Sequence, residues 1–119
     1  MTYLARDYDE AISWFSTALG WNLVEDTDLG GGKRWVRMAP PGAMTQFLIA
    51  RAVDDQIASI GRAAGGRVAY FLHVDDFDKT AAHMQTSGVT FEETPRDEPY
   101  GRVAVFQDLY GNRWDLIGP

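Results

Sequence analysis

Two seven-residue stretches decide the fold: Arg6–Ile12, RDYDEAI, and Asp75–Ala81, DDFDKTA. Each sets an aspartate, Asp7 or Asp76, where its carboxylate can accept from the free backbone N–H groups that open a helix. In the first stretch Glu10 completes a capping-box spacing. Apolar residues then fall at Ala11, Ile12, Trp14, Phe15, Ala18 and Leu19, a helical stripe, and Gly20 stops it. The second stretch opens a similar helix that ends at Gly88.

Working outward, the same order of elements surrounds both helices. ALGWNLVED (18–26) matches TSGVTFEET (86–94), and APPGAMTQFLI (39–49) matches DLYGNRWDLIG (108–118). The paired positions lie 69 apart at Asp7 and Asp76, 68 at Gly20 and Gly88, and 69 at Gly42 and Gly111. Strands are expected over 1–5, 21–27, 34–39, 44–52, 67–74, 89–94, 102–108 and 113–117. DLGGGK (28–33), PPGA (40–43) and PRDEPYG (95–101) read as turns or loops. Each half is therefore strand, helix, strand, strand, strand, an internal repeat. Residues 1–119 form a single domain: module one at about 1–52, a polar linker with a short helix at about 53–66, and module two at about 67–119.

Composition narrows the function. The chain has 119 residues, 45% of them apolar, enough for a real core. It has no cysteine, which excludes disulfides, thiolate metal sites and a cysteine nucleophile. The net charge is -6, with a sequence pI of about 4.7, which argues against nucleic acid as a partner. No run of 18 apolar residues is present, so no membrane helix is expected, and no secretory signal is visible. A cytoplasmic protein is the expectation.

The stretches DYDEAISWFSTALGW, VDDFD and DLYGNRWDLI are similar to the vicinal oxygen chelate superfamily, the glyoxalase/bleomycin resistance/dioxygenase proteins, and the similarity spans nearly the whole chain. It implies an α+β fold in which two tandem βαβββ modules form a curled mixed sheet around an open cleft. It also implies a homodimer, with clefts built by modules of two chains. Family members place metal ligands on the first and last strand of each module. The last-strand pattern, Gly-Asn-x-x-Glu, reads here Gly111-Asn112-Arg113-Trp114-Asp115, putting Asp115 in the ligand position.

Subtracting the repeat offset of 69 from Asp115 gives Gln46 as its counterpart, whose amide oxygen could coordinate a hard cation. The first-strand ligand, five residues before the Val of the Val-Asp-Asp motif, falls on Ala69, which has no donor atom, and its own counterpart falls before Met1. Gln46 and Asp115 are thus vestigial positions of a broken ligand set. A divalent catalytic site normally needs about three protein ligands. The expectation is no cofactor, with a divalent metal as the alternative.

Aromatic residues make up 13% of the chain, including four tryptophans. Trp35 and Arg37 share one strand face, and Arg113 shares a face with Asp115 while Trp114 points to the core. Phe71 and His73 share a face with Ala69. His73 could serve as an acid/base group, or it is a strand-end histidine bonded to backbone or water. With Tyr100 near the last hairpin, these residues (Trp35, Arg37, Gln46, Phe71, His73, Tyr100, Arg113 and Asp115) form the candidate ligand-binding set. The reading is a protein that binds a small molecule in an aromatic dimer cleft without a catalytic metal. The alternative is a divalent-metal-dependent lyase, isomerase or dioxygenase of the same superfamily.

Overall fold

The computed structural model describes all residues, 1–119, as two compact units, Met1–Ile60 and Gly61–Pro119. The first contains β1 (Thr2–Ala5), α1 (Tyr8–Ala18), β2 (Asn22–Gly30), β3 (Lys33–Ala39), β4 (Phe47–Arg51) and a 3-10 helix over Asp54–Ser59. The second contains β5 (Val68–His73), α2 (Phe77–Thr86), β6 (Thr90–Phe91), β7 (Arg96–Glu98), β8 (Gly101–Gln107) and β9 (Arg113–Gly118). The strand orders are β1-β4-β3-β2 and β5-β9-β8-β6, with β7 paired to the free stretch of β8. In both units the first strand lies parallel to the last, and the remaining pairs are antiparallel.

Both helices start as their aspartates dictate. Glu10 N–H donates to Asp7 Oδ2 at 2.9 Å and Lys79 N–H donates to Asp76 Oδ1 at 3.1 Å. Gly20 and Gly88, at φ +68° and +87°, take the left-handed turn that ends each helix. One face of each sheet packs under its helix. In the first unit Tyr3, Phe15, Trp21 and Phe47 form an aromatic cluster, Tyr3 edge-on to Phe15 at 5.1 Å and stacked on Phe47 at 5.5 Å. In the second, Trp114 is buried between Tyr70 and Phe106, at 4.7 and 5.6 Å. Ring pairs of this kind add to the free energy of apolar burial that drives both cores.

Three expectations change. β2 extends through Gly30, so the glycine turn shrinks to Gly31 and Gly32. Along its whole length β2 is exposed or half-exposed, a protruding ribbon held by β3. VTFEET is a strand only at Thr90 and Phe91, with one further backbone bond from Glu92 N–H to the Val105 carbonyl at 2.9 Å before the chain turns away. The stretch 95–101, expected to be a loop, contains β7, with Asp97 opposite Arg102 and Arg96 opposite Val103. Its pairing is carried by charge rather than by apolar alternation: Arg96 bonds Glu93 and Glu98, and Arg102 bonds Asp97. A strand stabilised this way has no period-2 hydrophobic signature.

Candidate functional site

The sheet faces turned away from the helices carry the candidate residues, and each unit's face is distinct. In the first unit it presents Trp35 and Arg37 from β3, Leu48 and Ala50 from β4, and Gln46 just before β4. Arg37 is the hub. Its Nε and Nη2 donate to Glu25 Oε1 at 3.0 and 2.9 Å, and its Nη1 donates to Gln46 Oε1. The bonds from Arg37, and then that from Thr27, hold the Glu25 carboxyl below its ordinary pKa. The Gln46 oxygen, a candidate cation ligand by sequence, is therefore committed to a guanidinium. Trp35 is 41% exposed.

The sheet registers also move the counterpart of Asp115. Tyr3 pairs with Ile49 in the first unit, and Leu72 with Leu116 in the second. The buried aromatics Phe47 and Trp114 precede these last-strand residues by two positions. The offset between units is thus 69 at Asp7 and Asp76, 68 at Met38 and Phe106, and 67 at Phe47 and Trp114. On this register Asp115 corresponds to Leu48. Gln46 corresponds to Arg113. The constant offset failed because the first unit has one residue more than the second before the β3/β8 strand, and one more in the turn between its last two strands.

In the second unit Phe71 pairs directly with Asp115, and His73 with Ile117, so Phe71, His73 and Asp115 share one face. A register shift between Val68 and Tyr70 leaves Ala69 in a bulge. Phe71 is 61% exposed, and His73 is exposed at the strand end. Asp115 Oδ1 is buried without a hydrogen-bond partner. Burial raises the Asp115 pKa, against the lowering pull of Arg96.

Arg113 is not free to meet a ligand as a bare charge. Its Nε and Nη2 grip Glu92 at 2.9 Å, its Nη1 donates to the Gly66 carbonyl at 3.2 Å, and the Glu92 carboxyl is held below its usual range chiefly by Arg113. Tyr100, 64% exposed, sits at the tip of the β7–β8 hairpin.

Sequence reasoning missed Asp108. It is buried and ties the last turn together: it accepts from the backbone N–H groups of Tyr110 and Asn112, from Asn112 Nδ2 and from Trp114 Nε1, each at 3.0 Å. Asn112 Oδ1 in turn accepts from Ala63 N–H at 3.0 Å. The Gly111-Asn112 pair that carried the motif is thus a structural clasp that aims β9. An aspartate four residues before the asparagine was the available signal.

The donor set does not fit a divalent metal. Of the positions that would supply ligands, Leu48 and Ala69 have no donor atom, and the Gln46 oxygen faces a cation. No three His, Cys, Asp or Glu side chains come together to hold an ion. Of these positions Asp115 alone offers an oxygen with no hydrogen-bond partner.

The chain belongs to the glyoxalase/bleomycin resistance protein/dioxygenase superfamily, whose profile matches residues 1–116. It is 46% identical over 117 residues to an uncharacterized protein of Shewanella frigidimarina, covering 96% of this chain and 87% of that one. Among solved structures it is similar to UcmS2, with a TM-score of 0.83 and 25% identity over 98% of this chain and 93% of that one. It is also similar to TnmS3, described as an antibiotic binding protein from Streptomyces sp. CB03234, with a TM-score of 0.78 and 26% identity over 100% and 92% of the two chains. No helix is long and apolar enough to cross a membrane.

Proposed function

We propose that the chain is a metal-independent binding protein that holds a small organic molecule on its uncovered sheet faces, in a cleft completed by a second copy. One observation carries the reading: the positions that would ligate a metal hold Leu48 and Ala69, and the nearby Gln46 oxygen is occupied by Arg37. The similarity to TnmS3, an antibiotic binding protein, supports it. In this reading exposed Trp35 and Phe71 supply flat apolar contact, His73 supplies a polar edge, and Tyr100 lies at the rim. Arg37 and Arg113, neutralised by Glu25 and Glu92, shape the wall rather than attract an anion. The cytoplasm is the expected compartment.

Asp115 favours a second reading, because an unpartnered carboxylate oxygen is what a metal-dependent lyase or dioxygenase of this superfamily would leave behind. Metal analysis of the purified protein, followed by rebinding of Mn²⁺, Ni²⁺ and Zn²⁺ at neutral pH, separates the two. The binding-protein reading expects no stoichiometric uptake. Uptake that disappears in Asp115→Ala would establish the enzyme reading instead.

A further inference from the structure

β3 and β4 part company before they end. Their ladder runs from Met38 opposite Phe47 to Val36 opposite Ile49 and stops there. Lys33–Trp35 and Ala50–Arg51 would continue it, yet Trp35 pairs only with Thr27, Ala50 with Leu4, and Arg51 with Ala5. A cavity of about 430 Å³ lies between the diverging ends, a volume suited to a small ligand.

Its chemistry is unlike that of the chain as a whole. In a protein of net charge -6, three basic side chains, Lys33, Arg34 and Arg51, line this one cavity, and no acidic residue does. Arg34 is neutralised, its Nη2 reaching Asp26 at 2.6 Å and Asp9 at 3.0 Å. Lys33 and Arg51 are exposed and have no carboxylate partner. Arg51 instead lies 5.9 Å from the Tyr8 ring centroid, on a ring that also holds Arg34 at 5.1 Å. Tyr8 hydroxyl accepts from Arg34 N–H at 3.2 Å, which fixes the ring. Trp35 supplies a partly exposed indole on the wall, and Gln56, whose amide oxygen accepts from Val53 N–H at 3.1 Å, lines it too.

We infer that this cavity is a binding site for a planar organic anion, an aromatic carboxylate whose ring lies on Trp35 and whose charge is met by Arg51 and Lys33. Two cations without counterions beside an aromatic wall favour such a ligand over a neutral one of the same shape, because charge-assisted hydrogen bonds are stronger than neutral ones. The inference deepens and rests on the reading given above, since Trp35, Leu48 and Ala50 of the uncovered face also line this cavity, but it does not depend on the metal question.

The test is isothermal titration of the full chain with 2-naphthoate and with its neutral isostere 2-naphthamide. The expected result is one naphthoate site per chain, with naphthamide at least about tenfold weaker. Arg51→Gln and Lys33→Gln, both at exposed positions, should each weaken naphthoate while leaving naphthamide unchanged, and Trp35→Ala should weaken both. Absence of naphthoate binding at millimolar concentration, equal binding of the two probes, or naphthoate binding that survives both charge substitutions in folded protein would overturn the proposal.

Discussion

Trp114 Nε1–H donates to Asp108 Oδ2 across 3.0 Å, and both residues are buried. The bond joins the largest core side chain of the second unit to the turn that precedes its strand. Replacing Asp108 by Ala leaves the indole N–H and the Asn112 amide without their acceptor. Unsatisfied buried donors cost about 1–3 kcal/mol each, so for these two we expect a loss of at least about 2 kcal/mol. Urea denaturation measures it. A loss below about 1 kcal/mol would show that the clasp is not what holds the turn.

The Asp115 carboxyl has its pKa raised by burial, which fixes the sign of a pH effect. The neutral acid suits the fold better than the anion, so the contribution is fully present below the ordinary carboxylate pKa. It is lost as pH rises through the raised folded value. Asp115→Asn removes the charge at similar shape. It should raise Tm relative to the parent at pH 7, and the gain should shrink toward pH 3. Equal gains at both pH values would refute the assignment.

Gly61 and Gly65 both have left-handed backbones, at φ +77° and +62°, but different neighbours. A Cβ on Gly61 would stand 2.0 Å from the Tyr110 carbonyl oxygen, whereas one on Gly65 meets nothing within 4 Å. Gly65→Ala should cost about 1 kcal/mol for the backbone alone. Gly61→Ala should cost about 3 kcal/mol or more, since the carbonyl must move as well. Parallel guanidinium melts compare them, and equal costs would argue against the close approach.

Arg37 holds Glu25 and Gln46 together, so Arg37→Met should move the Glu25 carboxyl up toward its ordinary titration range, the Thr27 bond keeping part of the lowering. Carboxyl NMR titration reads this directly. The change frees the Gln46 oxygen, but metal uptake should stay absent, because Leu48 and Ala69 still lack donors. Metal binding gained in this variant would mean that Arg37 alone was blocking a site.

Much of the fold was legible because helix starts and stops are local chemistry. Asp7 and Gly20, and Asp76 and Gly88, act within a few residues of themselves. The site was less legible because it depends on register. Two extra residues in the first unit, one before β3 and one in the turn that follows it, slide the alignment by two positions without changing which face is outward, and Gln46 was read for Leu48 on that account. β7 escaped because its pairing relies on Arg96, Asp97 and Glu98, charges that read as solvated loop. Asp108 escaped because its spacing to Asn112 was the one local signal, while its bond to Trp114 forms only once the turn has closed.

The protruding ribbon β2 is the outer strand of its sheet, bonded to β3 alone. Such a strand invites another chain to add itself and begin a fibre. Here the invitation is refused by Glu25, Asp26 and Asp28, which line the strand with negative charge. Arg37 and Arg34 keep the first two of these acids ionised to lower pH than usual. The arginines that brace the hairpin therefore also keep this open edge ionic, and unwelcoming to a neutral strand, at lower pH than unpaired carboxylates would.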